Sequence, residues 1–133
     1  MPDVIDAARE ARENAYAPYS GYRVGAAVLD TQGRVWSGCN VENVSYPLGM
    51  CAERNAVFAM IRGGGSNISQ IAVVTRDGAT PCGGCLQVLL EFALDPTQVN
   101  VHTVPESGAA ATYTLAELIP HGFRSSLAPR TER

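Results

Sequence analysis

Two short stretches constrain this chain more than anything else in it: Cys51-Ala52-Glu53 and Pro81-Cys82-Gly83-Gly84-Cys85. Each sits where a loop gives way to an apolar run of helical period, so each puts its side chains at the beginning of a helix. Cys82 and Cys85, at C-x-x-C spacing, can reach one metal ion from the first turn, where backbone N–H groups and the helix dipole favour thiolate over thiol. Cys51 opens the other helix. If the two N-termini converge, three thiolates meet at one point, and zinc held by three protein ligands keeps its fourth position for water.

Plainer explanations of the same residues exist. A C-x-x-C pair can be a redox couple, but that reading belongs with a thioredoxin-like context, which the chain lacks. A closed structural zinc site would take a fourth ligand from Cys39, His102 or His121, none of which has ligand-like spacing. Cys39 reads most simply as a small buried apolar residue. Glu53 follows a proposed ligand by two positions, near enough to face the open side of the metal without binding it. A carboxylate there can take a proton from water and deliver it to a leaving group; elsewhere it would merely complement the helix dipole. Three thiolates on Zn²⁺ sum to one negative charge, so a cation should offset them. Arg54, beside Glu53, is the candidate for donating to the sulfurs.

Composition removes several alternatives. At 133 residues and 46% apolar, the chain reads as one domain able to bury a core without disulfides. Four cysteines without a secretory-type leader point to a cytoplasmic protein that uses thiols for metal or catalysis. No apolar run is long enough for a membrane span. Net charge is −3 with scattered basic residues, which argues against nucleic acid as a partner. Every basic residue is arginine, so Schiff-base lysine and P-loop lysine chemistry are excluded.

The remaining pattern predicts a helix over Asp3–Tyr16, ended by Pro18, then a hairpin of Tyr22–Asp30 and Arg34–Gly38 around Thr31-Gln32-Gly33. Asn40–Gly49 is a polar loop of the kind that carries binding residues. A second helix spans Cys51–Arg62, stopped by three glycines. Ile71–Thr75 reads as a buried central strand, Pro81–Ala93 as a third helix, Val99–Val104 as a strand. Thr112–Thr114 is a fifth strand before a short helix whose Thr114 and Glu117 have capping-box spacing. A polar tail follows from about residue 125. Strands alternating with helices describe an α/β fold, a mixed sheet with helices on its faces.

Four stretches together resemble a known family: Tyr22-Arg23-Val24-Gly25-Ala26-Ala27, Gly38-Cys39-Asn40-Val41-Glu42-Asn43, Cys51-Ala52-Glu53-Arg54 and Pro81-Cys82-Gly83-Gly84-Cys85. They are similar, in order, to cytidine deaminase of the small type, with three cysteines on zinc and a homotetrameric assembly. The likeness runs from about Ala15 to Phe123. It implies a three-layer α/β/α fold with a five-stranded mixed sheet, and one Zn²⁺ per subunit held by Cys51, Cys82 and Cys85. It implies zinc-dependent hydrolytic deamination of cytidine and deoxycytidine in pyrimidine salvage, with Glu53 shuttling protons as C4 is attacked and ammonia leaves. Asn40 and Glu42 would hold the ribose 3′-hydroxyl, Tyr22 would line the base pocket, and backbone near Ala52 and Thr80 would read the base edge. Phe123 would reach into a neighbouring subunit's site. From spacing alone, Phe123 reads as a C-terminal core anchor.

One position departs from the family pattern. Where the family usually reads cysteine-arginine-glutamine, this chain has Cys85-Leu86-Gln87. Arg54 would then carry more of the charge compensation. The departure also leaves room for a related amidine substrate, such as a blasticidin-type compound or a modified cytosine. A non-catalytic zinc module, with a fourth protein ligand, is the alternative from a different class, and polynucleotide editing is disfavoured by the acidic balance.

Overall fold

Gly25–Asp30 (β1) and Ile68–Thr75 (β3) carry the chain's apolar, mostly buried strand sequence, and they form the centre of a five-stranded sheet. The computed structural model describes residues 3–125. With Val35–Cys39 (β2), Asn100–Pro105 (β4) and Ala111–Thr114 (β5), the order across the sheet is β2-β1-β3-β4-β5. Only β3 and β4 run parallel; the other three pairings are antiparallel. That parallel step needs a crossover, and the helix Gly83–Glu91 (α3) supplies it.

Side chains of successive strand residues point to opposite faces, and the core divides accordingly. Ala26, Val28, Ile71 and Val73 pack with Ala52, Ala56, Val57 and Met60 of helix Ala52–Arg62 (α2) and with Leu86 and Leu89 of α3. Ala27, Ala72 and Val74 face the other way, against Val4 and Ala8 of helix Val4–Arg12 (α1). A final turn of helix, Leu115–Leu118 (α4), joins the α3 side. The result is three layers, α/β/α, as the family resemblance implies.

Two glycines set how closely helices approach the sheet. A Cβ on Gly25 would lie 2.1 Å from the Ala8 carbonyl oxygen, and one on Gly38 would lie 2.6 Å from the Ala56 nitrogen. Backbone contact of that kind admits only glycine, and at Gly38 it fixes the first turns of α2 against β2.

Several boundaries differ from those expected. The first helix stops at Arg12 rather than Tyr16. The Tyr16 amide donates instead to the Asn40 carbonyl at 3.0 Å, and the Tyr16 carbonyl accepts from Glu42 N–H at 2.8 Å. Tertiary pairing captures those residues before Pro18 can act. Tyr22 and Val24 precede the β1 ladder, because the Asn40 side chain takes their backbone groups: Val24 N–H donates to Asn40 Oδ1 at 2.9 Å, and Asn40 Nδ2 donates to the Tyr22 carbonyl at 2.8 Å. Cys39 is half-buried at the end of β2 rather than in the core. The capping box forms as its spacing predicts. The expected tail lies outside the described residues apart from Ser125.

Candidate metal and catalytic site

The N-termini of α2 and α3 meet on one side of the sheet, and the cysteines meet with them. Cys51 is the N-cap of α2, Cys82 is the N-cap of α3, and Cys85 lies in the first turn of α3. The three sulfurs lie within 4.8 Å of one another. A tetrahedral zinc ion with bonds of about 2.3 Å needs sulfurs roughly 4 Å apart, so this set fits one ion. Cys39 and His102 stand outside the group: Cys39 presents its carbonyl to Asn55 at 2.8 Å, and His102 lies between Thr112 and Gln70 at 2.9 and 3.0 Å.

The surroundings favour a thiolate at Cys51. Arg54 Nη2 donates to Cys51 Sγ at 3.4 Å, and the Cys85 amide donates to Cys82 Sγ at 3.5 Å. Contact with Cys85, and then Arg54, pulls the Cys51 thiol down to about 5. The same sulfur–sulfur contact, with burial, pushes Cys85 upward. Contact with the Cys51 and Cys85 sulfurs in turn raises Arg54 above its ordinary value, so it stays a cation.

Glu53 is only 6% exposed, in the first turn of α2. Burial, reinforced by the Cys51 charge, pushes its carboxyl up to about 7. A carboxyl poised there exchanges a proton near neutrality, as a general base that later acts as an acid must.

Glu53, Cys51 and Cys82 line a cavity of about 360 Å³. The same walls include Tyr22, Asn40, Glu42, Ala52 and Thr80, all singled out from the sequence. Asn40 is committed by both ends of its amide to the backbone of Tyr22 and Val24. Glu42 Oε1 accepts from the Tyr19 and Ser20 amides at 2.9 and 3.1 Å, and the Ser20 hydroxyl donates to Oε2. Those bonds, led by the Ser20 hydroxyl, hold the Glu42 carboxyl below its usual range. Glu42 is therefore an anchored anion at the cavity wall.

Arg54 sits at the sulfurs, as expected from the sequence, and outside the cavity lining. Phe123 is 76% exposed, so the reading of it as a core anchor is wrong. Its backbone is gripped by the Gln87 amide, whose Nε2 donates to the Phe123 carbonyl at 2.7 Å while Oε1 accepts from its N–H at 3.1 Å. The residue stands exposed, off this chain's own core. Leu86, where the family pattern has arginine, is on the buried face of α3, in the core.

Sequence reasoning missed Ser20, Val24, Val73, Thr75 and Ala79, which also line the cavity. The turn signal at Pro18-Tyr19-Ser20-Gly21 marks Ser20 only as loop. Nothing local says that this loop folds onto Glu42.

Comparison with known proteins agrees with the geometry. The family model for the cytidine and deoxycytidylate deaminase zinc-binding region matches residues 2–102. A cytidine deaminase of Halalkalibacterium halodurans is 43% identical over 122 residues, covering 90% of this chain and 91% of that protein. One from Mycobacterium tuberculosis is 41% identical over 140 residues, covering the whole of both chains. The crystal structure of cytidine deaminase from Burkholderia pseudomallei superposes with a TM-score of 0.85 at 41% identity, covering 92% of this chain and all of that one. Three converging thiols, a buried carboxyl beside them and a match across most of the sequence lead to one conclusion: this chain belongs to the cytidine and deoxycytidylate deaminase zinc-binding family.

Proposed function

We propose that the chain, as a single domain, catalyses the hydrolytic deamination of cytidine and deoxycytidine to uridine and deoxyuridine, releasing ammonia in pyrimidine salvage. The observation that carries this is the buried Glu53 carboxyl sharing one cavity with Cys51 and Cys82, whose sulfurs converge with that of buried Cys85. Those three cysteines would hold one Zn²⁺, which when bound would make its water far more acidic than bulk water.

The chain's own residues do the rest. Ionised Glu53 takes a proton from the attacking water; once protonated, it returns that proton to the amino nitrogen leaving C4. Tyr22, with Ala52 and Thr80 opposite, would confine the base. Asn40 and Glu42 would hold the ribose hydroxyl, and a site built to bond a hydroxyl rejects analogues lacking it. Among the described residues, the cavity lining includes no cationic side chain but does include the Glu42 carboxylate. That favours a nucleoside over a 5′-phosphorylated nucleotide.

Assembly belongs to the same proposal. Tyr16, Tyr19, Val41, Val44, Tyr46 and Leu48 are exposed on two adjoining segments beside the cavity, a patch suited to contact with another copy. Exposed Phe123 supports a homotetramer in which one subunit's ring completes a neighbour's site. Among the described residues no helix is long and apolar enough to cross a membrane. Four unpaired cysteines, three of them needed as thiolates, favour a reducing cytoplasm.

The test is ultraviolet absorbance with cytidine, deoxycytidine and free cytosine side by side, with zinc measured on the same sample. Turnover of the two nucleosides supports the proposal. Activity on cytosine alone would overturn the nucleoside assignment, and no turnover by zinc-loaded protein would overturn the enzyme.

A further inference from the structure

Tyr22 and Asp77 come from different loops, one leading into β1 and the other leaving β3, yet they share a hydrogen bond. The Tyr22 hydroxyl donates to Asp77 Oδ1 at 2.6 Å. The Arg76 guanidinium lies over the Tyr22 ring, 5.3 Å from its centroid. Tyr22 lines the cavity, whereas Arg76 and Asp77 are exposed outside it.

The loop that carries Asp77 is itself pinned. Buried Thr75 accepts at its hydroxyl from the Gly78 and Ala79 amides at 2.7 and 3.2 Å and donates to Asp77 Oδ1 at 3.3 Å. Asp77 is therefore held in place to receive the phenol. The same loop brings Ala79 and Thr80 to the cavity wall and leads on to Cys82.

A phenol at the edge of an apolar wall needs a partner. Without an acceptor outside, its O–H is free to turn toward whatever acceptor enters the cavity, and the ring is free to swing. Asp77 takes that hydrogen outward, and Arg76 covers the ring. The cavity then meets a fixed wall with its donor already spent.

We propose that Asp77, braced by Thr75, is a positioning residue of the base pocket: with Arg76 covering the ring, it locks Tyr22 as a non-donating wall and so sets how tightly an aminopyrimidine ring is held. This rests on the nucleoside reading above. Asp77 acts through Tyr22 and touches no reacting atom. A wall that grips substrate and transition state alike changes KM and leaves kcat.

The experiment is a double-mutant cycle. Asp77→Ala and Asp77→Asn are made in the parent and in a Tyr22→Phe background, reading KM and kcat for cytidine, zinc content and thermal midpoint. Asp77→Ala raises KM about fivefold with kcat held within about twofold, less than a buried charge-assisted bond would give because Asp77 faces solvent. Asp77→Asn, whose amide oxygen still accepts, restores most of the parent KM. In the Tyr22→Phe background, Asp77→Ala adds nothing. An unchanged KM, an equal effect in the Tyr22→Phe background, or a KM change that tracks zinc loss would each overturn the proposal. If the parent does not turn over cytidine, the nucleoside reading fails by itself. The lock is then read from the carbon-13 resonance of the Tyr22 ring, assigned by Tyr22→Phe. A shift of that resonance in Asp77→Ala supports the lock, and an unmoved one overturns it.

Discussion

Arg54 and Cys51 face each other across one turn of α2, with Nη2 3.4 Å from the sulfur. Helix geometry makes neighbours of residues three apart, so placing a cysteine at the N-cap and an arginine in the first turn builds the contact into the sequence. Leu86 is buried in the core, which leaves Arg54 as the cation recorded beside these sulfurs. Arg54→Ala should lower zinc affinity or turnover about 10- to 100-fold, the range for losing a partner of a metal ligand. Unchanged zinc content and rate would refute that role.

Close approach at Gly38 holds α2, and through it Cys51 and Glu53, against β2. Gly38→Ala forces a Cβ to within 2.6 Å of the Ala56 nitrogen and 2.9 Å of the Ala52 carbonyl oxygen. Neither backbone atom can move without moving the helix. We expect a loss of about 1–3 kcal/mol, read as a fall of roughly 3–12 °C in thermal midpoint. An unshifted midpoint would mean that the helix yields more easily than backbone packing allows.

The folded protein raises the Glu53 carboxyl from 4.5 to about 7. Well below pH 4.5 the group is protonated whether folded or unfolded, and its ionisation contributes nothing to the pH dependence. Between 4.5 and 7 the unfolded chain ionises first, so stability falls as pH rises. In chelated, metal-free protein, Glu53→Gln should therefore stabilise the fold at pH 8 by on the order of 2–3 kcal/mol, and by much less at pH 5. Denaturant titration at the two values checks it. Equal gains at both would contradict the buried, ionising carboxyl.

Exposed Phe123 bears on the assembly. Phe123→Ala should leave the thermal midpoint of each subunit's core little changed but reduce kcat/KM about tenfold or more, because the ring would serve a neighbour's site. Mixing Phe123→Ala subunits with Glu53→Gln subunits should then recover activity, as some interfaces pair an intact ring with an intact carboxyl. Failure to recover, with mixed oligomers present, would contradict sharing.

Much of this was legible locally. Cys82 and Cys85 declared themselves because spacing within one helical turn is a short-range signal, and β3 because an apolar β-branched run has few other uses; that Cys51 joins them depended on two helix N-termini meeting. Tyr16 shows where local reading stops: its helical spacing is sound, but backbone pairing with Asn40 and Glu42 overrides it. Ser20 and Asp77 were invisible for the same reason. Their partners, Glu42 and Tyr22, come from distant loops, so their roles exist only once the sheet has brought those loops together. Phe123 misled because an aromatic near a C-terminus usually seeks the core, and here the Gln87 amide holds its backbone while the residue stays exposed.

One paired measurement reaches the centre of the account: bound zinc and cytidine turnover in the parent and in Glu53→Gln. Parent protein should hold one zinc per chain and deaminate cytidine. Glu53→Gln should keep its zinc while kcat falls by about 10²- to 10⁴-fold, the usual worth of a positioned acid–base group. Full turnover without that carboxylate, or loss of the metal along with it, would contradict the assignment of Glu53 as the proton carrier beside a three-cysteine site.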